Sequence, residues 1–299
     1  MPSPTLTVIM PNYNHANFLP TAIEAIVTQS LPPDEFIILD DGSTDNSVEI
    51  MENYAKRYSF IRVLKNERNI GVLKSVNRLF GEAKGDYIYC AAADDLVLPH
   101  FFEKAMEMAK TYPEAGIIFG DLEILHENGR ILRQGFTRWQ TELFASPAKY
   151  LEEVLFVEHP FFSNSQSSIS KRELILEFGG YHEELMGFTD GFLIRAIGLK
   201  KGVCYFPQAV MRFRVLQDSY FHHVMLNRPI LMMKIIFRTV ALMKSPKFHH
   251  VFPKEYNIDF EMKAQIDIIR IQMIQWFKFL LKPTGIPKIL SFLRKKWSS

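Results

Sequence analysis

Phe36-Ile37-Ile38-Leu39-Asp40-Asp41-Gly42-Ser43-Thr44-Asp45 is an apolar run that ends abruptly in carboxylates. Four consecutive apolar residues suit a strand buried on both faces, as parallel sheets require. Paired acids do not belong inside such a strand, so Asp40 and Asp41 mark the point where the chain leaves the sheet. Gly42 and Ser43 permit a turn, and Ser43 or Thr44 is placed to cap a helix behind it. The pattern recurs at Tyr87-Ile88-Tyr89-Cys90, followed by Asp94-Asp95. Open α/β sheets bind ligands in the crevice beyond the carboxyl ends of their strands. Acids at that rim suit a divalent cation, and the two together predict a nucleotide-diphosphate site.

Outward from these runs, strand and helix signals alternate. A short apolar run over 6–10 closes at Pro11, and residues 16–29 carry apolar side chains at helical spacing. Strand 35–39 is followed by a helix over 44–56, strand 61–64 by one over 72–82, and strand 87–90 by one over 99–111. Pro99 suits the first turn of that last helix. Repeated β-α units predict an α/β fold with a mostly parallel sheet covered by helices. After Ile117-Ile118-Phe119 the rhythm changes to a hairpin turning at Asn128-Gly129. A loop-rich stretch, 137–170, holds a helix over 147–156 and the run His159-Pro160-Phe161-Phe162-Ser163-Asn164, suited to an acceptor-facing surface. Helices over 172–178, closed by Gly179-Gly180, and over 190–199 precede a short strand at 203–206. Past Ser219 the chain reads as almost wholly helical.

The chain has 299 residues, 47% hydrophobic and 23% charged, ordinary for a globular protein with one large domain and an appendage. Its net charge of +2 conceals an asymmetry: residues 220–299 hold 14 Lys and Arg against four Asp and Glu, a net of +10, which leaves −8 for the rest. Cys90 and Cys204 sit in separate apolar stretches and read as buried thiols of a reducing compartment. No secretory signal is recognised. Lys234 and Arg238 interrupt the apolar segment 229–243 short of the ~20 residues that span a bilayer, so a cytoplasmic protein without a transmembrane helix is expected. A P-loop, a G-x-G-x-x-G turn and Cys/His zinc spacing are all missing, which removes support for kinase, dehydrogenase and zinc-site readings.

An ordered set of elements resembles the inverting nucleotide-sugar glycosyltransferases of family 2, which have the GT-A fold. The set is Val8-Ile9-Met10-Pro11-Asn12-Tyr13-Asn14, Asp40-Asp41-Gly42-Ser43-Thr44-Asp45, Asn69-Ile70-Gly71 with Asn77, Asp94-Asp95, and Gly179-Gly180-Tyr181 with Asp190. The resemblance covers roughly residues 5 to 219. It implies a Rossmann-like catalytic domain over 1–219, with a nucleotide-sugar half to about 120 and an acceptor half over 121–219, followed by a basic helical extension over 220–299. It also implies a sugar transfer from a nucleoside-diphosphate sugar, UDP favoured, to an acceptor hydroxyl on a glycan or lipid-linked glycan, in polysaccharide or glycolipid assembly of bacterial type.

By the same resemblance, Pro11, Tyr13 and Asp41 hold the nucleotide base: an aromatic face stacks, and a carboxylate accepts a ring N–H. Read alone, Tyr13 is a core aromatic and Asp41-Gly42 a turn. Asp94 is implied to touch the sugar-nucleotide and Asp95 to ligate Mn²⁺ or Mg²⁺; their plain alternative is an acid-rich helix start. Many relatives carry another acid two positions before the pair, where this chain has Ala92. Asp190 matches the general base, with Thr189 at a position that is usually acidic; otherwise it is a helix cap. Arg214 lies where relatives close a loop over the diphosphate, with Arg212 as its competitor. Lys74 and Arg68 stand near Asn69-Ile70-Gly71, either approaching the nucleotide or merely solvated. His222, beside His223, is either a further metal ligand or solvent-facing. Ile286, Ile289, Leu290, Leu293 and Trp297 share a helical face flanked by Lys288, Arg294, Lys295 and Lys296, which either lies peripherally on the inner face of the cell membrane or packs on the protein or across a homodimer. The segment 266–281, with Trp276, Phe277 and Phe279, poses the same choice. No nucleic-acid module accompanies the basic charge. The rival functions are a nucleotide-sugar-binding protein that has lost catalysis and a nucleotidyltransferase.

Overall fold

The computed structural model describes residues 3–126, 129–134, 139–157, 165–214 and 229–280. Its first half is the expected alternation: β1 (Leu6–Asn12), α1 (Leu19–Val27), β2 (Glu35–Asp40), α2 (Ser47–Arg57), β3 (Ile61–Lys65), α3 (Val72–Glu82) and β4 (Tyr87–Cys90). The strands lie parallel in the order β3-β2-β1-β4. Alternation along each strand divides its side chains between two cores. Ile9, Ile37, Leu39 and Ile88 meet Val76 and Leu79 of α3, whereas Val8, Met10, Phe36 and Ile38 meet Ile23 and Ile26 of α1.

The helix starts differ from expectation for a definable reason. α2 begins at Ser47, not at residue 44, because Ser43 and Thr44 are engaged with the loop after β1. The Asn14 N–H donates to Ser43 Oγ at 2.9 Å, and the Thr44 N–H donates to Asn14 Oδ1 at 2.8 Å. Asp45 receives the Ser47 and Ala16 N–H groups instead. Likewise α4 (Phe101–Thr111) follows His100, whose φ is 67°, so Pro99 precedes the helix rather than entering it.

The second half completes one mixed sheet. β5 (Leu96–Val97), α4, β6 (Ile117–Leu125), β7 (Ile131–Gln134) and β8 (Leu143–Ala145) are followed by α5 (Pro147–Tyr150), which runs into a π-helical turn, Leu151–Leu155. A 3₁₀ turn (Ser165–Ser167) leads into β9 (Ser168–Lys171) and α6 (Arg172–Phe178). A second 3₁₀ segment (Glu183–Phe188) leads into α7 (Thr189–Lys201) and β10 (Val203–Arg214). The sheet order is β3-β2-β1-β4-β9-β6-β10-β5, with β7 on β6 and β8 on β10. β9, Ser-Ile-Ser-Lys, inserts antiparallel between β4 and β6; with one apolar residue it carries no strand signal of its own. β10 continues far beyond residue 206 because register shifts after Phe206 and Ala209 absorb Pro207. The hairpin of β6 and β7 forms as expected, closed by the Gly129 N–H donating to His126 O.

Helices α8 (Pro229–Met243) and α9 (Lys254–Leu280) form a further layer. Met232, Ile235, Ile236, Val240, Met243, Tyr256 and Phe260 belong to the same core as α7. α7 is therefore covered on both sides, which is why Gly191 to Gly198 are all buried. The Phe192 ring lies 5.0 Å from Phe248 and 5.2 Å from Phe252, centroid to centroid. Ile258, Met262, Ile266 and Ile269 stay exposed. The stripe from Ile286 to Trp297 lies outside the described residues, as do His159 to Asn164 and the side chains of Trp276, Phe277 and Phe279.

Asn77 joins the two halves. Its Nδ2 donates to Tyr181 O and its Oδ1 accepts the Tyr181 N–H, both at 2.7 Å. Gly180, at φ +68°, has no room for a Cβ, which would stand 2.5 Å from Asn77 Oδ1. Asn77→Ala leaves two backbone groups without partners and is expected to lower unfolding free energy by about 2 kcal/mol in urea denaturation. An unchanged midpoint would show that the tie contributes nothing.

Candidate active site

The rim of the sheet is built from strand ends. Parallel register sets Asn12 beside Asp40, and the Asp41 N–H donates to Asn12 O at 2.8 Å. Asp40 stays structural: Oδ2 accepts the Ser43 N–H and Oδ1 accepts Asn12 Nδ2. Asp41, 3% exposed, organises the next loop. Its Oδ1 accepts Asn66 Nδ2 at 2.7 Å and the Ile70 N–H at 2.9 Å, and its Oδ2 accepts the Gly71 N–H at 2.9 Å. A carboxylate has about four acceptor positions, so one remains for an incoming N–H. Gly42, at φ +74°, lets the loop close over it: a Cβ would stand 2.7 Å from the Arg68 backbone.

Beside this cradle, Tyr13 is 42% exposed, which leaves its ring accessible rather than in the core, and Pro11 is half-buried at the end of β1. Lys74 is exposed on the first turn of α3, with Nζ 3.9 Å from Glu183 Oε2, a surface pairing.

Asp94 and Asp95 follow β4. Asp95 is 7% exposed, and its Oδ1 accepts the Arg214 N–H at 2.9 Å, which joins the turn to the end of β10. Burial, then the neighbouring Asp94, pushes the Asp95 carboxyl up to about 7. The Arg214 guanidinium lies over the Phe18 ring at 5.4 Å, and its buried Nε has no hydrogen-bond partner among the described residues. Arg212 differs: its Nε donates to Glu123 Oε2 at 2.9 Å and its Nη2 lies 2.8 Å from the same oxygen, an ion pair. Of the two arginines, Arg212 is paired with a carboxylate, whereas Arg214 has a buried Nε without a partner among the described residues.

The donor set fits a hard cation. Asp94 and Asp95 supply carboxylate oxygens, and the Arg214 N–H and its cation offset only part of the cost of burying the Asp95 charge. No group of three or more His, Cys, Asp and Glu suited to a metal occurs among the described residues. A Mg²⁺-like ion held by one or two carboxylates, phosphates and water needs no such cluster. His222 and His223 lie outside the described residues.

Asp190 is in the first turn of α7. The Ser165 hydroxyl donates to its Oδ2 at 2.5 Å, and the Gly191 N–H donates to its Oδ1 at 2.6 Å. Burial raises its pKa, while Ser165, Gly191 and the Arg195 charge oppose that rise. The upward push therefore comes from burial rather than from a preceding acid. Thr189 accepts the His182 N–H at 2.6 Å. A cavity of about 30 Å³ adjoins Asp190, bordered also by Cys90, Ser165, Ser168, Ser170 and Tyr181. β4 thus ends with Cys90 at this cavity and leads within five residues to Asp95.

Sequence reasoning missed Ser165 and Asn66. Ser165 lies in the serine-rich Ser163-Asn164-Ser165-Gln166-Ser167-Ser168, where no spacing singles out one hydroxyl.

The mostly parallel sheet flanked by helices, with acids at the strand ends, matches the GT-A fold of solved glycosyltransferases. The Glycosyl transferase family 2 profile matches residues 7–173, and the chain belongs to that family. It is 29% identical over 232 residues to the glycosyltransferase MJ1057 of Methanocaldococcus jannaschii, covering 75% of this chain and 76% of that protein. It spans about 30% of the length of several other curated glycosyltransferases that it matches. The Staphylococcus aureus TarS 1-349 structure in complex with UDP-GlcNAc superposes with a TM-score of 0.66 at 16% identity, over 81% of this chain and 67% of that one. The mannosyltransferase PcManGT of Pyrobaculum calidifontis, in complex with GDP-Man and Mn²⁺, gives 0.59 at 17% identity, over 95% and 82%. At these identities the two structures bear on the fold alone.

Asp41→Ala strips the acceptor from two backbone N–H groups and from Asn66. Its expected cost is about 3 kcal/mol in chemical denaturation, with amide exchange at Ile70 and Gly71 accelerated. Native-like protection of both amides would show that Asp41 does not hold the loop.

Proposed function

We propose that the protein is a metal-dependent inverting glycosyltransferase acting on a nucleoside-diphosphate sugar. The observation that carries the reading is the convergence, around β4, of two buried carboxylates, Asp190 and Asp95, each with its pKa raised by burial that its protein partners only partly offset. The base lies against Tyr13 and Pro11, and one of its N–H groups takes the remaining acceptor position of Asp41, an arrangement that suits uracil. The Arg214 guanidinium faces the diphosphate, Asp94 touches the sugar-nucleotide, and Lys74 lies farther out toward the phosphates. A Mn²⁺ or Mg²⁺ ion at Asp95, with His222 as a candidate further ligand, supplies charge neutralisation of the departing diphosphate.

Asp190 removes the proton of an acceptor hydroxyl, the oxygen attacks the anomeric carbon, and the bond to the diphosphate breaks in the same displacement. An α-linked donor then yields a β-linked product. Catalysis belongs to residues 1–219, with donor binding before about 120 and acceptor binding after it. The acceptor is a glycan or lipid-linked glycan, in polysaccharide or glycolipid assembly. The buried, hydrogen-bonded Asp190 favours catalysis over mere nucleotide-sugar binding, and the match to Glycosyl transferase family 2 weighs against a nucleotidyltransferase.

The extension over 220–299 supports a peripheral contact with an anionic membrane on its cytoplasmic face. Ile258, Met262, Ile266 and Ile269 expose apolar surface on α9, within a segment carrying a net +10. No described helix is long and apolar enough to cross a membrane.

Asp190→Asn is expected to lower transfer by roughly 10²- to 10⁴-fold while UDP-sugar binding, read by thermal shift, persists; unchanged transfer would exclude Asp190 as the base. A base acts deprotonated, and burial raises this pKa. The wild-type kcat is therefore full above that pKa and lost as pH falls through it, at higher pH than for an exposed aspartate. Asp95→Asn is expected to remove the Mn²⁺ dependence of nucleotide binding together with most turnover, and a variant still stimulated by Mn²⁺ would refute the ligand assignment.

A further inference from the structure

We propose that Ser165 is a positioning residue that fixes the Asp190 carboxylate for proton abstraction. The inference rests on the reading of Asp190 as the base. The Ser165 hydroxyl donates to Oδ2 and the Gly191 N–H donates to Oδ1, so each oxygen is held by a protein donor, and the Asp190 N–H adds to them. A carboxylate has about four acceptor positions, which leaves room for an incoming hydroxyl while rotation of the carboxylate is blocked from both sides. An incoming hydroxyl meets an oxygen whose direction is already set.

The turn that carries Ser165 is built to stay in place. Ser168 Oγ donates to Ser165 O at 3.0 Å, and the Tyr89 hydroxyl donates to Gln166 O at 3.1 Å. Directly after it, Ile169 of β9 pairs with Tyr89 of β4 on one side and with Ile118 of β6 on the other. The hydroxyl is thus referenced to the sheet, whereas Asp190 is referenced to α7, and the hydrogen bond joins the two.

Ser165 also opposes the effect of burial on the carboxyl, because its hydrogen bond favours the ionised form. The titratable and charged groups around Asp190 come from α7, β4, the loop after α6 and α9. Arg195, on α7, places its cation near the carboxylate and donates Nη1 to Gly191 O. Cys90, at the end of β4, has its thiol pushed up to about 12 by burial, and the Tyr181 hydroxyl is raised well above its ordinary range, so both stay neutral near pH 7. Tyr256 of α9 hydrogen-bonds to Arg195. Without the Ser165 bond, the groups that still counter desolvation are Arg195 and the N–H groups of Gly191 and Asp190, and Asp190 binds its proton more tightly.

The test is the pH profile of kcat for sugar transfer by the full chain. Ser165→Ala is expected to lower kcat about ten- to a hundredfold, leave the donor KM unchanged, and move the acid limb to higher pH. Ser165→Thr keeps the hydroxyl, has the adjoining cavity for its methyl group, and is expected to restore the wild-type limb. If Ser165→Ala does not fold, Ser168→Ala, which loosens the turn through Ser165 O, is expected to move the limb in the same direction by less. A limb unmoved in the folded variant, whatever its kcat, would make Ser165 merely structural and overturn the proposal. Asp190→Asn separates the two readings: if it stays active, the base assignment fails, whereas if it is inactive and Ser165→Ala behaves as wild type, only the role of Ser165 fails.

Discussion

Parallel pairing of β1 with β2 and β4 aligns Asn12 with Asp40 and Ile9 with Cys90, so all three strands end at one edge of the sheet. Every polar group gathered there has left a dry interior and must find donors or a counter-charge within a few residues. Asp40 and Asp41 find theirs in the protein, from Asn12, Ser43, Asn66 and the amides of Ile70 and Gly71. Asp95 receives the Arg214 N–H and is left with a burial penalty that raises its carboxyl to about 7. The contrast separates acids whose burial is met by several protein donors from one whose carboxyl is left raised.

The second constraint is the position of α7 between the sheet and the layer of α8 and α9. Phe188 and Phe192 face Phe260, Phe248 and Phe252, and the buried Arg195 lies over the Phe188 ring at 5.4 Å. This packing holds the first turn of α7 against the Ser165–Ser167 turn, and burial raises the Asp190 pKa against the pull of Ser165, Gly191 and Arg195. The helical extension is thus part of the surroundings of Asp190 through Arg195 and Tyr256, as well as a source of positive charge.

The first half of the fold was legible because β1, β2 and β4 are apolar runs, β2 ends in acids and Asp94-Asp95 follow β4, and because Val72–Glu82 has clean helical periodicity. β9 was hidden by its serines, and β10 by Pro207, since a bulge that absorbs a proline depends on partner strands distant in sequence. Within the site, the Asp40-Asp41 and Asp94-Asp95 pairs stood out as acids at strand ends, and the family resemblance singled out Asp41, Asp95 and Asp190 among the acids. Their environments could not, because Asn66, Ser165 and Arg214 reach them from 25, 25 and 119 residues away. Single polar residues at such separations leave no periodic trace, and Arg212 was told apart from Arg214 only once Glu123 stood beside it.

Anomalous scattering from manganese, in crystals grown with Mn²⁺ and a nucleoside-diphosphate sugar, tests most directly whether the strand-end rim seats a charged diphosphate. The expected result is a peak within bonding distance of an Asp95 carboxylate oxygen and of the diphosphate, with the base against Tyr13. A nucleotide bound elsewhere, or one bound at the rim with no peak beside Asp95, would contradict it.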